Sequence, residues 1–263
     1  LSSSLSPSNG SAGGADAVSG ALFVAALFVA ALFVAAVVAA VVVAAVVAQP
    51  APPTNGKNMT MACVQGEDLP DRQFLAMATE AAARSPTPAC IVLPEHTIAD
   101  LATPRHPLVR GLTELAREHA LYVCVGVHVD APPQAACPYD NVAMLIGPSG
   151  LVGTQAKAVP VPFMQDGNPA RSQAAFQTEH GRIGVYVCYD GIFTDIPRRV
   201  ATLGAEVMLV PVMDVRRWPR QELWQHADMA PFRSIELRRS TARAASSGVS
   251  QIIDPAGRVR AQR

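Results

Sequence analysis

Three side chains in this sequence could together form and break an acyl bond. Glu95 follows the apolar run "IVLP", Lys157 ends the segment "GLVGTQAK", and Cys188 ends the apolar run "GVYV". A thiolate is a nucleophile. A carboxylate can take the thiol proton and return it to a leaving group. An ammonium favours the thiolate and can donate to the oxyanion that develops as a carbonyl becomes tetrahedral. The intermediate of such a set is a thioester. Taken one at a time, each residue also has a plain structural role. Cysteine is among the most buried residue types, a glutamate can sit at a helix start, and a lysine can be solvated. The backbone N–H of Tyr189 follows the thiol and could serve as a second oxyanion donor, and Asp190 would help shape the turn.

These residues need elements that end where they stand. Short apolar runs alternate with amphipathic ones from Met59 onward, which is an α/β pattern. Strands are expected at 59–65, 90–94, 121–129, 182–188 and 206–212, with a hairpin at 141–157 turning on Pro-Ser-Gly. Helices are expected at 70–85, 106–119, 192–203 and 221–238. "STARAAS" and "VSQIID" read as the last strands. The strands are mostly apolar, so the sheet should be covered on both faces. His226, Arg233 and Glu236 share helical spacing and read as a salt-bridge face. Trp218 and Trp224 suit either an acyl-facing or a core-edge position.

The remainder of the chain is organised differently. Residues 1–20 are rich in Ser, Gly and Ala and read as a disordered lead. Residues 21–48 are unbroken Ala, Val, Leu and Phe, with "ALFVA" three times in tandem. As a helix this run would measure about 40 Å, against a hydrocarbon core of about 30 Å, so one tilted transmembrane helix is expected. Residues 49–58 form a Pro-rich linker. Lys57 alone follows the apolar run, which by charge places the C-terminal side in the cytoplasm. Leu1 and Arg263 both read as cut ends, so the domain from 59 to 263 is expected to be truncated at its C-terminus.

Composition excludes several classes. The formal net charge is zero, with 21 basic and 21 acidic residues, so there is no electrostatic footprint for nucleic acid. Five cysteines without a Cys-x-x-Cys, and no clustered histidines, argue against a zinc site or a disulfide framework. Cys63, Cys90, Cys124 and Cys137 lie in apolar strands or loops and read as structural. Only Lys57 and Lys157 are lysine among the basic residues, which sets Lys157 apart.

"LPEHTI", "GTQAKAVPVPF" and "VCYDGIFTD" resemble, in order, the three signatures of the nitrilase (carbon–nitrogen hydrolase) superfamily. The resemblance runs over residues 59–260. It implies an α-β-β-α sandwich and a catalytic triad of Glu95, Lys157 and Cys188, with no cofactor and no metal. The apolar helix before the domain, the Lys…Val-Pro-Phe stretch and the Gln225-His226…Arg233…Glu236 helix are most similar to the apolipoprotein N-acyltransferase branch. That likeness implies a membrane location with the catalytic domain extracytoplasmic, which overrides the orientation read from Lys57. It also implies a phospholipid acyl donor and a lipoprotein N-terminus as acceptor.

The sequence departs from that branch at three places. Position 165 is Gln where the branch has a second glutamate, with Asp166 the nearest carboxylate. Asp190 stands where the branch has Glu, as in the soluble Cys-Tyr-Asp amidases. Val212-Met213-Asp214 replaces Ser-Asn-Asp. Two alternatives therefore stay open: a membrane-tethered amidase acting on a small amide, and a catalytically inactive interaction module, for which Gln165 is the motive. The sequence does not fix an oligomeric state.

Overall fold

The structure is a computed structural model that describes residues 32–38 and 58–263. Residues 32–38 are helical and exposed, and belong to a unit spanning Leu1–Pro50; the rest belongs to a unit spanning Ala51–Arg263. The transmembrane helix expected at 21–48 lies outside the described residues apart from 32–38. Among the described residues, no helix is long and apolar enough to cross a membrane. The lead at 1–20 and most of the 49–58 linker also fall outside them.

From residue 58 onward two six-stranded sheets form. The first holds β1 (Met61–Cys63), β2 (Cys90–Val92), β3 (Ile98–Leu101), β4 (Tyr122–Asp130), β5 (Tyr139–Gly147) and β6 (Gly150–Ala156). The second holds β7 (Ala175–Thr178), β8 (Gly181–Val185), β9 (Val207–Val212), β10 (Ser240–Ala245), β11 (Gln251–Ile253) and β12 (Val259–Gln262). Each sheet has the same plan. Three strands run parallel (β1-β2-β4 and β8-β9-β10), and two antiparallel strands extend one side. β3 and β7 are short additions, pairing with β4 and β8. Neither they nor β12 are marked by the apolar runs that signal the other strands.

Alternation along the strands sets the layers. In β2 and β4, Cys90, Val92, Tyr122 and Cys124 face the second sheet, where they meet Val185, Val207 and Leu209. Their neighbours Ile91, Val123 and Val125 face the opposite way, onto the helices α1 (Asp71–Ala82) and α2 (Pro107–His119). This is the period of two that a strand buried on both faces requires. In α2, Leu108, Leu112, Leu115 and Ala116 make one apolar stripe at helical spacing. Pro107 opens that helix at its first position and Ala120, in the left-handed conformation, closes it. Helices α3 (Asp195–Thr202) and α4 (Arg220–Leu237) cover the outer face of the second sheet through Ile196, Val200 and Leu237. The result is the expected four-layer α-β-β-α sandwich.

The expected strand through 188 is shorter than read. β8 ends at Val185, and Cys188–Ile192 forms a 3-10 turn. The cause is local: Val187 N–H donates to the Asp190 carboxylate at 3.1 Å, which takes the backbone out of the ladder.

Gly126 is the residue that lets β4 approach the segment carrying Glu95. A Cβ there would stand 2.4 Å from Glu95 Cα and 2.6 Å from the Pro94 carbonyl oxygen. Gly126→Ala should therefore displace Glu95 and cost about 1–3 kcal/mol of stability, measured by urea unfolding. A variant as stable as the wild type would show that the strand gives way instead.

Candidate active site

Glu95, Lys157 and Cys188 come from different segments of the fold and are buried together. Glu95 leaves β2 through Pro94. Lys157 is the first residue after β6, with its N–H donating to the Asn141 carbonyl at 2.8 Å. Its ammonium lies 2.8 Å from Glu95 Oε1 and 2.7 Å from Asp166 Oδ2. The Cys188 thiol is buried beside the Glu95 carboxylate, whose charge raises it. The other Glu95 oxygen, Oε2, accepts the Met213 N–H at 2.9 Å. The second sheet thus reaches across to the glutamate of the first.

Cys188 sits at φ 46°, in the left-handed region. For a residue with a Cβ this costs roughly 1–2 kcal/mol, so the turn must be held from outside. Asp190 does this. Its carboxylate accepts N–H groups from Val159 at 2.8 Å and Ala158 at 3.0 Å, as well as Val187. One side chain therefore ties the turn that carries the thiol to the residues that follow Lys157. From the outer helix, Arg233 Nε donates to the Gly191 carbonyl at 2.8 Å. Tyr189 is partly exposed and meets Phe193 edge to face.

Gln165 does not support the site with its side chain. It is exposed, and its backbone carbonyl accepts the Tyr139 hydroxyl at 2.7 Å. The next residue, Asp166, turns inward. Its Oδ2 takes both the Lys157 ammonium and the Val161 N–H, the latter at 2.7 Å, which closes the 157–166 loop on itself. The second carboxylate is therefore present, one residue later than the resemblance places it. Asn141, fully buried, donates from Nδ2 to Glu95 Oε1 at 2.7 Å and to Asp166 Oδ1 at 2.8 Å. Nothing in the spacing of the sequence marks Asn141. The sequence reading noted Asp166 only as the nearest carboxylate.

His226 also parts from its expected role. Arg233 pairs with Glu236, and Glu236 with Arg198, but His226 joins neither. Its Nδ1 lies 2.7 Å from Asp214 Oδ1, while Arg243, fully buried, holds Asp214 Oδ2 at 2.6 Å. A cavity of about 20 Å³ lies beside Cys188, lined by Val210, Val212, His226, Met229 and Arg243 among others. It has room for about one water molecule.

The ionisation states follow from competing causes. Burial pushes the Glu95 carboxyl up, but the Lys157 and His96 charges outweigh it and hold it below its usual range. Asp166 is likewise held low, by His96 and Lys157 against burial. Burial would lower the Lys157 ammonium, yet Glu95, Cys188 and Asp166 raise it. The Cys188 thiol is pushed well up by burial and by Glu95, with Lys157 opposing only in part. At rest the set is therefore a neutral thiol facing an ionised carboxylate and an ammonium. Burial lifts Asp190 to about 6 despite its three N–H donors. Cys63 and Cys90 are raised to about 12 by burial, Cys63 against a smaller lowering by Arg243. Oxygens of Glu95 and Asp166 with a His96 nitrogen lie within 4.8 Å of one another, close enough for a cation. Lys157 already supplies that cation between the two carboxylates.

A four-layer sandwich with a carboxylate, an ammonium and a thiol gathered between its sheets is the architecture of the nitrilase-type enzymes. The carbon–nitrogen hydrolase family profile matches residues 44–263, and the chain belongs to that family. It is 30% identical over 166 residues to an apolipoprotein N-acyltransferase of Geobacter metallireducens, covering 56% of this chain and 32% of that relative. A second relative, apolipoprotein N-acyltransferase 2 of Treponema pallidum, is 31% identical over 80 residues, covering 30% of this chain and 14% of its own length. The chain thus spans about a third or less of these curated relatives. Among solved structures, the fold is similar to Saccharomyces cerevisiae Nit3, a member of branch 10 of the nitrilase superfamily. The TM-score is 0.64 at 19% identity, covering 76% of this chain and 83% of that one. It is similar also to an amidase from Nesterenkonia sp., with TM-score 0.64 at 18% identity, covering 80% and 88%.

Lys157→Met tests the charge balance. Removing one partner leaves two buried carboxylates and should cost about 3–5 kcal/mol. In the wild type, Glu95 and Asp166 are held low, so the stability they lend is present above about pH 4 and lost as pH falls further. Without the ammonium their values rise, so the deficit of the variant should shrink toward pH 5. Thermal melts of both proteins from pH 5 to 8 measure this. A deficit independent of pH would show that Lys157 contributes packing rather than charge.

Proposed function

We propose that this chain carries out acyl transfer through a Cys188 thioester, N-acylating an apolipoprotein with a phospholipid as donor. The observation that carries the reading is the Glu95 carboxylate, which accepts from the Lys157 ammonium at 2.8 Å and lies beside the buried Cys188 thiol. Glu95 takes the thiol proton as the sulfur attacks the ester carbonyl. The C–S bond forms, the ester C–O bond breaks, and Glu95 returns the proton to the departing alcohol. The acceptor amine then attacks the thioester. The C–N bond forms, the C–S bond breaks, and the proton shed by the amine passes through Glu95 back to the thiolate. Lys157 and the Tyr189 N–H donate to the oxyanion in both steps. Asp166 holds Lys157 in place.

Two further observations support a lipid donor. The curated relatives are acyltransferases. The loop between Lys157 and Asp166 also exposes two apolar side chains, Phe163 completely and Met164 in part, where an acyl chain could be met. The apolar run at 21–48 fits a membrane anchor, with the catalytic domain on the extracytoplasmic side. A second reading, hydrolysis of a small amide by the same triad, is favoured by the cavity beside Cys188, which suits a water and not a chain. The reading as an inactive interaction module loses its motive, since Asp166 supplies the carboxylate that Gln165 lacks.

Incubation with a labelled phospholipid followed by mass spectrometry should find the acyl mass on the Cys188 peptide, and Cys188→Ala should abolish it. Asp166→Asn should slow acylation by about 10²-fold or more, the scale of losing one oxyanion stabiliser, while Gln165→Ala should stay within about twofold. Turnover of small amides without any acyl adduct would decide for the hydrolase. Retained turnover in Cys188→Ala would end both readings.

A further inference from the structure

The fold treats the two oxygens of Glu95 differently. Oε1 accepts from the Lys157 ammonium at 2.8 Å and from Asn141 Nδ2 at 2.7 Å. Oε2 accepts the Met213 N–H at 2.9 Å. A carboxylate oxygen offers about two lone-pair sites. Both sites of Oε1 are therefore occupied, while Oε2 keeps one. His96 Nε2, at 3.7 Å from Oε1, lies beyond hydrogen-bond distance. The donors also divide by sheet. Asn141 stands on β5 and Lys157 just past β6, both of the first sheet, whereas Met213 directly follows β9 of the second. Cys188 comes after β8, the parallel neighbour of β9, and lines the same recess as Val212. The oxygen with room for a proton is thus the one held by the sheet that carries the thiol.

Asn141 makes this asymmetry. It is fully buried and stands opposite His128 in the ladder of β4 and β5. Its Nδ2 has two hydrogens, which go to Glu95 Oε1 at 2.7 Å and Asp166 Oδ1 at 2.8 Å. The reverse orientation of the amide would aim Oδ1 at two ionised carboxylates, which only accept. The orientation is therefore fixed by the chemistry of its neighbours. It is kept at a cost, since the buried Oδ1 accepts no hydrogen bond among the described residues. The backbone of Asn141 is held as well. Its carbonyl accepts the Lys157 N–H at 2.8 Å. Gly167, at φ 86°, packs so closely that a Cβ there would stand 2.5 Å from the Asn141 nitrogen. Asn141 is thus bound by its backbone to Lys157 and by its side chain to both carboxylates that share the ammonium.

We infer that Asn141 is a positioning residue for proton transfer: with Lys157 it fills Glu95 Oε1, so that Oε2 is the oxygen that takes the Cys188 proton and later returns it. The inference rests on Glu95 being the base, as proposed above. As the C–S bond forms, the S–H bond breaks and an O–H bond forms at Oε2. A proton on Oε1 would have to displace Lys157 or Asn141, and each of these also holds Asp166. A proton on the free site of Oε2 displaces neither, and the carboxyl group keeps its place through the cycle.

Three measurements test this on the full chain. The first is the rate of Cys188 alkylation by iodoacetamide against pH, which should fall on the acid side as Glu95 takes a proton. Lys157, Asp166, His96 and Cys188 are the titratable groups that face Glu95, and all remain in Asn141→Leu. That variant removes one hydrogen bond to the charged carboxylate, so its acid limb should move up by about 1–2 pH units. A uniform slowing with the limb unmoved, in a variant shown to be folded by its thermal melt, would leave Asn141 a structural role only. The second is neutron diffraction from wild-type crystals held at a pH below the limb, which should find deuterium on Glu95 Oε2. Deuterium on Oε1 overturns the assignment. The third is nuclear magnetic resonance of protein labelled with nitrogen-15 at asparagine, the Asn141 side chain being assigned through bonds from its own backbone. Both Nδ2 hydrogens should exchange slowly with solvent, and rapid exchange of either removes the clamp. If wild-type Cys188 reacts no faster than the other four cysteines, the thioester reading fails, while the neutron and resonance measurements still decide which oxygen of Glu95 is filled.

Discussion

The Lys157 ammonium, buried and shared between Glu95 and Asp166 at 2.8 and 2.7 Å, is the constraint around which the molecule is arranged. Three ionised groups taken out of water cost far more than any one contact returns unless every lone pair and proton is met. The fold meets them from many directions. Asn141 of β5 donates to both carboxylates, Met213 beyond β9 supplies a backbone N–H to the free oxygen of Glu95, and Val161 does the same for Asp166. β4 must come within contact of Glu95, which only a glycine at 126 allows. The two sheets are thus joined by polar bonds at one end and by the apolar layer of Cys90, Val92, Val185 and Leu209 beneath it.

The same constraint explains why the turn that carries Cys188 needs its own scaffold. A thiol beside a carboxylate and deep in the protein is held in its neutral form. A thiol so held becomes a thiolate only when its proton has somewhere to go, and the Glu95 carboxylate is the neighbouring acceptor. Asp190 fixes that geometry by gripping the backbone on both sides, at Val187 before the thiol and at Ala158 and Val159 after the lysine. The turn stays in an unfavourable conformation because these bonds leave it no other. Asp214, clamped by Arg243 and His226, steadies the segment just after Met213, the residue whose N–H holds Glu95. The turn bearing the thiol, the ammonium and the Glu95 carboxylate are therefore each held by neighbouring residues.

What could be read from the sequence follows from this division. Glu95 and Cys188 stand just past apolar runs and Lys157 just past β6, so the pattern of runs places them on the segments that follow strands, and the helices α1 to α4 announce themselves by spacing and by Pro or Asp at their starts. Asn141, His128 and Arg243 could not be found that way. They lie inside or at the edge of strands, where a polar residue in an apolar run looks like an interruption, and their partners are between 25 and 46 positions away for the bonds Asn141 makes to Asp166 and Glu95. Gln165 was read by its offset from the lysine. The offset failed because the loop closes through Val161 N–H onto the following residue, a contact that depends on backbone direction and not on count. His226 was read by helical spacing, which places it on the same helix as Arg233 but not on the same face of the problem: its partner is on another element.

The displaced carboxylate also bears on how the site can change its chemistry. An aspartate one residue later, with a shorter side chain, reaches the same ammonium only because the loop from 157 to 166 curls inward at its end and outward at its tip. The inward end is bound by Asp166, and the outward tip carries Phe163 and Met164 into solvent. Loop and charge are in this way one device. Whatever draws the tip onto a surface pulls on a segment whose two ends, Lys157 and Asp166, are bonded to each other. The small cavity beside Cys188 lies among Val210, Val212 and α4. The thiol thus borders a recess that fits a single water.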